Sequence, residues 1–394
     1  MTLSGLAFAY ARRRPLATLL VVVLAALGVA IAVLTLILSN ELESRMRRDA
    51  EGIDLVVGAK GSPLQLVLAG VYHADIPPGN IPYPALERLR ANPRVGAAIP
   101  LALGDSVAGF RIVGTEATLA AHYGAALTAG AMFGRPMQAV IGSDVAKATG
   151  LGVGSTFAGT HGLAAGGAEH DDDRYTVVGI LAPTGLIVDR LVLTPVESVW
   201  DVHESHQGAI AAVDREVTMI LVRFATPLAA ATLAREINAQ SALVAASPAL
   251  ETARLFTVFG VGLDVVRAFA GVLVGASVLL LFVALAQALE ERRYDLAILR
   301  ALGARRRDLV FVLMAESVAL ALAGAALGVA IGHLAAASIG RWLPAAAPLA
   351  GAAWRFGGYE GLVVVLAIVG GILAACWPAW RASRLDVAAT LSDS

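Results

Sequence analysis

Lysine is almost missing from this 394-residue chain: Lys60 and Lys147 are the only two, and arginine supplies the other basic residues. Charge of either sign is scarce. Asp, Glu, Lys and Arg make up 15% of the sequence and hydrophobic residues 57%, where a soluble domain carries about 25% charged residues. That balance excludes a soluble globule and points to a multi-span membrane protein. The net charge of −1 gives no reason to expect nucleic acid as a partner. Cys376 is the single cysteine, so no intramolecular disulfide can form. Catalytic signatures are missing too. A phosphate-cradling loop needs G-x-x-x-x-G-K-[ST], and GAKGSP (58–63) has those letters in the wrong order. There is no H-E-x-x-H, and GDSVAG (104–109) is not a nucleophile elbow. The chain is expected to be no enzyme by itself and to hold no nucleotide of its own.

What is present is four long apolar runs. The first, Leu16–Leu38, follows Arg12-Arg13-Arg14-Pro15. Basic-then-apolar is also the pattern of a cleaved signal peptide. This run is too long for that, and it ends LTLILSNEL without a small-x-small cleavage site, so it reads as an uncleaved anchor. Residues 2–13 fit a short interfacial helix ahead of it. The other spans are expected near Arg267–Leu289, Leu309–Ala337 and Gly361–Trp380. Arginines cluster before the first span, between the second and third, and after the fourth. The loop between the third and fourth has only Arg341 and Arg355. Basic segments stay inside, so both termini are expected in the cytoplasm, with residues 39–262 and the 338–360 loop outside.

Residues 39–262 change character: apolar runs shorten, and Gly, Pro, Asp and Asn punctuate them. Glu41–Glu51 reads as a helix leaving the membrane, and 58–63 and 74–84 as turn-rich. Strands are expected at Gly109–Val113, Ala139–Ile141, Tyr175–Leu181, Arg190–Leu193 and Thr218–Phe224. Helices are expected at Tyr83–Ala91, Ser143–Thr149, Pro195–His206 and Pro227–Ala239. The fold class follows: an α-helical membrane domain of four transmembrane helices, with a large α+β extracytoplasmic domain inserted between helices 1 and 2. The divisions are 1–38, 39–262 and 263–394.

The sequence turns on Glu290–Asp308, EERRYDLAILRALGARRRD, which carries six arginines. Tyr294, Ala297, Ile298, Ala301 and Leu302 fall at i, i+3, i+4, i+7 and i+8, an apolar stripe on a short helix spanning 290–303. Gly303 supplies its stop. Such a helix either offers that stripe to a cytoplasmic partner or clamps lipid headgroups with its arginines. Within the third span, Glu316 and His333 read two ways. They are polar points on a dimer seam or substrate path, or else Glu316 reaches interfacial water while His333 caps the outer end. Gly271, Gly275, Gly324 and Gly328 suit close helix packing. In the large domain, His161, Glu169, His170 and Asp171–Asp173 crowd one Gly/Ala-rich loop, with His203 and His206 on a later helix. Histidine and carboxylate are zinc ligands. His161, His170, Asp171, His203 and His206 therefore mark an open Zn²⁺ site, or else a solvated acidic connector beside surface histidines.

Architecture and motifs together resemble the MacB/FtsX-like permease family of ABC transporters. ERRYDLAILRALGARRRDL is similar to that family's ERRREIGILRALGAS-type segment, with Asp295 in place of the usual Glu. WPAWRASRLDVAATL (377–391) is similar to its YPARRAARLDPVEAL-type tail, with Val387 where Pro is common. Gly130–Gly134 and the following AVIGSDVAKATGLGVGSTF resemble the middle of its outer domain. The resemblance implies a helix at 290–303 that docks on a separate cytoplasmic ABC ATPase binding ATP and Mg. Arg293, Asp295, Ile298, Leu299, Arg300 and Gly303 would then be the coupling residues. It also implies a second permease copy, as homodimer or heterodimer, a periplasmic partner protein, and motion passed across the membrane to the outer domain. Two rivals use the same architecture: an FtsX-like regulator of an envelope hydrolase, and a component of a zinc-related transport system. A third is an unrelated receptor whose outer domain binds ligand.

Overall fold

Apolar runs without helix breakers become helices longer than the runs themselves. The computed structural model describes residues 15–161, 169–207, 215–240, 242–291, 293–343, 346 and 348–384. The interfacial helix expected at 2–13 and residues 385–391 of the C-terminal motif lie outside them. Among the described residues, four helices are long and apolar enough to cross a membrane: Pro15–Asp49, Pro248–Glu291, Arg306–Trp342 and Gly358–Ser383. The first outlasts its apolar run because Glu41–Asp49 continues the helical pattern, with Arg47 paired to Glu43 one turn back at 2.6 Å. The second starts at Pro248, where proline's fixed φ suits the first helical turn.

The chain divides into two compact units, one holding the described residues up to Leu42 and from Val258 on, the other Glu43–Thr257. In the first unit, small residues set how closely the spanning helices approach. Gly324, Gly328 and Gly332 form one row on the third spanning helix. A Cβ at these positions would sit 2.7 Å from Ala25 Cβ, 2.6 Å from the Ala26 oxygen and 2.9 Å from Val33 Cγ1 of the first. A Cβ at Gly271 or Gly275 would meet nothing within 4 Å, so of the four glycines expected to suit close packing, Gly324 and Gly328 do so within this chain. Ser317 Oγ donates to the Gly371 oxygen at 2.7 Å and ties the third helix to the fourth. Glu316 and His333 are both buried.

The second unit is α+β. Its strands are β1 (Leu55–Ala59), β2 (Ile81–Pro82), β3 (Val95–Val107), β4 (Phe110–Thr115), β5 (Leu127–Gly130), β6 (Gln138–Ile141), β7 (Thr156–His161), β8 (Glu169–Leu181), β9 (Leu191–Pro195), β10 (Glu216–Val217), β11 (Met219–Phe224) and β12 (Leu243–Ala246). The main sheet runs β12-β1-β11-β3-β4-β9-β6-β8-β5, with β7 against β3 and β8. Pairs β4–β9 and β6–β8 are parallel; the other pairs are antiparallel. Helices Pro84–Arg90, Ser143–Thr149, Val196–Gln207 and Ala229–Gln240 appear where periodicity placed them.

Two departures are instructive. The segment read as turns at 58–63 ends β1 and starts a helix, Pro63–Gly70, capped by Ser62 Oγ accepting from the Gln65 N–H. The acidic run Glu169–Asp173 is strand and not loop: β8 pairs with β7 as far out as Thr160 opposite Glu169.

Candidate coupling surface

Helix is described up to Glu291 and again over Arg293–Ala301. The latter stretch stops because Gly303 takes φ +101°, a conformation that costs a residue with a Cβ dearly. The Arg305 N–H then donates to Asp308 Oδ2 at 2.9 Å, and the third spanning helix begins. The turn from Arg293–Ala301 into the third spanning helix is thus set by local chemistry.

Its two faces do different things. Leu296 and Ala297 are buried, 6% and 0% exposed. Leu296 packs with Leu289, Leu309, Leu313, Ala379 and Ala382, from the ends of the second, third and fourth spanning helices. The opposite face leaves Tyr294, Ile298, Ala301 and Leu302 exposed, a row at i, i+4, i+7 and i+8. Of the five-residue stripe read from sequence, Ala297 therefore belongs to the inward face, and the other four form the free surface. Arg305, Arg306 and Arg307 are exposed beside it.

An ion-pair junction fixes this helix to the bundle. Glu290 Oε2 lies 2.9 Å from Arg293 Nε, and its Oε1 lies 2.9 Å from Arg381 Nη1 of the fourth spanning helix. One carboxylate thereby meets Arg293 three residues on and Arg381 of the fourth spanning helix. Arg381 also covers the Trp377 ring at 5.2 Å, and Arg384 covers Trp380 at 4.4 Å. Such pairs suit a membrane–water boundary, where an aromatic ring and a cation both find partners. Trp342, Trp354 and Phe356 are exposed around the loop between the third and fourth spanning helices.

Among the coupling residues inferred from sequence, Arg293 is in the junction, Ile298 is on the free face, Arg300 is half-buried, and Gly303 makes the turn. Asp295 and Leu299 are on the helix, and their side chains lie outside the described residues. Sequence reasoning missed Glu290, Leu296 and Arg381. The apolar Leu289, Leu296, Leu309 and Leu313 were there to be noticed, but no spacing rule links Glu290 to Arg381. Of the zinc candidates, His161 ends β7, His170 and Asp171 are in β8, and His203 and His206 are in helix Val196–Gln207. Their side chains also lie outside the described residues. Among the described residues, no three His, Cys, Asp or Glu side chains gather as a metal site would need.

A multi-pass membrane protein with a large α+β domain between its first two spanning helices is what these features define. Comparison with known families is more specific. The FtsX-like permease C-terminal model matches residues 267–387, and the MacB-like periplasmic core domain model matches residues 18–240. The chain belongs to the MacB/FtsX-like ABC permease family, whose members work with ABC ATPase partners. Among solved structures it is similar to the periplasmic region of MacB from Actinobacillus actinomycetemcomitans, at 11% identity over 52% of this chain and 95% of that one, TM-score 0.35. It is also similar to the extracellular domain of the transporter YknZ from Gram-positive bacteria, at 13% identity over 49% and 98%, TM-score 0.30. No curated protein matches.

Proposed function

We propose that this chain is the non-catalytic permease subunit of an ABC assembly. Helix Arg293–Ala301 docks on a separate cytoplasmic ATPase, and ATP turnover there changes the conformation of an extracytoplasmic Glu43–Thr257 domain. One observation carries the reading: the free apolar row Tyr294, Ile298, Ala301 and Leu302 belongs to a helix whose other face is seated among three spanning helices. A partner that grips the row therefore pulls on the bundle and not on a loose loop. Supporting it, helices Pro15–Asp49 and Pro248–Glu291 each begin in one compact unit and end in the other. The arginine distribution supports a short helix inside and a large domain outside.

The working assembly on this reading is two permease copies, identical or paired with a relative, two ATPases, and an extracytoplasmic partner or substrate. Export, extraction and delivery of an envelope substrate all use the same coupling. So does regulation of an envelope hydrolase, in which motion is the only output. Co-reconstitution with the ATPase in lipid nanodiscs tests the core of the proposal. Paired spin labels in the Glu43–Thr257 domains of two copies should change separation when non-hydrolysable ATP is added. ATPase that neither binds the chain nor moves those labels would refute it.

A further inference from the structure

His333 is in the third spanning helix and Glu360 in the first turn of the fourth. Their side chains are 6% and 13% exposed. His333 Nδ1 lies 2.7 Å from the Ala353 carbonyl oxygen, and Nε2 lies 3.2 Å from Glu360 Oε1. Glu360 Oε2 accepts the Gly357 N–H at 2.7 Å. The Phe356 ring lies 4.6 Å from the imidazole, close enough to offer its face to a cation.

These contacts fix a proton count. A carbonyl oxygen only accepts, so Nδ1 carries a proton. A neutral imidazole then has a bare lone pair at Nε2, and an ionised carboxylate opposite it has only lone pairs to offer. The contact is attractive only if the pair holds one more proton, on Nε2 as imidazolium or on Oε1 as carboxylic acid. Either placement gives the same count, and the proton belongs to the pair.

We propose that His333 and Glu360 form a one-proton clasp that closes the hairpin between the third and fourth spanning helices and releases it when the proton leaves. The clasp ties the third spanning helix to the last part of the connection and to the start of the fourth. Ala353 follows the short helix Pro348–Ala352, and Gly357 immediately precedes the fourth spanning helix. The hydrophobic cluster at this end of the bundle draws on all four spanning helices. The first spanning helix brings Val29, Val33 and Ile37, the second Val274, the third Ala336, the hairpin Leu349 and Ala353, and the fourth Val363. Arg341 and Arg355 are the hairpin's other charges, and both are exposed. Asp264 and Arg267 on the second helix pair with each other at 2.9 Å. This inference stands apart from the ATPase reading.

Hydrogen exchange on the full chain in nanodiscs, from about pH 5 to about pH 10, tests it. The amides to follow are those of Ala353, Trp354, Arg355 and Gly357, which bond to the Leu349, Gly351 and Ala352 oxygens and to Glu360 Oε2 respectively. After correction for the intrinsic rate, their protection should fall about tenfold or more in one step as pH rises, the equivalent of losing one charged hydrogen bond. Glu360→Gln should abolish that step, because its amide donates to a bare Nε2 while its oxygen still accepts from Gly357. His333→Ala should leave the same amides weakly protected at every pH. Protection in the wild-type chain that does not depend on pH overturns the proposal. So does a Glu360→Gln profile that falls in parallel with the wild type. If Glu360→Gln does not insert, the wild-type step and its absence in His333→Ala decide the matter.

Discussion

Placing a carboxylate at Ile298 is the sharpest test of the coupling surface. In the chain alone Ile298 is 36% exposed, so a docked partner would cover the remaining third or so of a side chain whose full burial contributes ~1.5–3 kcal/mol. Ile298→Glu loses that fraction. It also forces a carboxylate either to protonate or to enter an apolar groove unpaired, a cost on the order of 2–7 kcal/mol for an uncompensated polar group. A combined penalty near 4 kcal/mol corresponds to roughly a thousandfold weaker binding, at about 1.4 kcal/mol per tenfold. The assay is titration of the ATPase onto nanodisc-embedded chain, with ATP turnover read in parallel. Two controls separate docking from folding. Ile298→Leu conserves volume and should bind within about tenfold of wild type, since such swaps usually cost under ~1.5 kcal/mol. Leu296→Glu strikes the seated face and should lower the yield of inserted protein before it alters binding. If Ile298→Glu inserts and binds the ATPase with wild-type affinity, the exposed row is not the docking surface.

Three further outcomes are expected. A reporter active only in the cytoplasm should work when fused after residue 303 or 394 and fail after 120 or 350; activity at 120 would reverse the proposed orientation. Burial, and then the nearby Arg111 guanidinium, push the His73 imidazole down from 6.5 to about 3. It stays neutral in the folded domain while the unfolded chain takes up its proton, so this contribution to stability is complete above about pH 6.5 and is lost as pH falls towards 3. Thermal unfolding should follow that window, and His73→Asn should flatten it, since Asn tolerates the φ of +51° found there; superimposable acid limbs would disprove the assignment. Calorimetry on the full chain tests the zinc reading: about one Zn²⁺ should bind and be lost in a His161→Ala/His170→Ala double variant, whereas equal binding by the two chains, or none by either, leaves an acidic hairpin and no metal site.

The spans and most of the domain's helices were legible because each depends on a local period. The misses have a common cause. GAKGSP (58–63) looked like a turn because two glycines and a proline punctuate it. Yet Gly58 is small because Leu66 packs on it, with Cδ1 2.5 Å from where a Cβ would be, and Pro63 opens a helix. VGAAIPLALGDSV, the long central β3, is disguised by Pro100 and Gly104, while its neighbours supply the pairing. The coupling helix was visible by spacing, but spacing says only that a face exists. Which residues turn inward depends on Leu309, Leu313 and Ala379, and the Glu290–Arg381 contact joins positions with nothing between them in sequence to suggest it.

The row Gly324, Gly328 and Gly332 against the first spanning helix has a mechanical consequence. Two backbones in such close approach leave little room for intermediate positions. The row repeats every four residues, about 6 Å along a helix rising ~1.5 Å per residue. The first helix therefore sits in one notch of a rail whose next matching notch is a full turn away. Sliding between those registers would be a discrete step and not a gradual drift. Any axial stroke that passes through the first helix would thus come in units of about one helical turn.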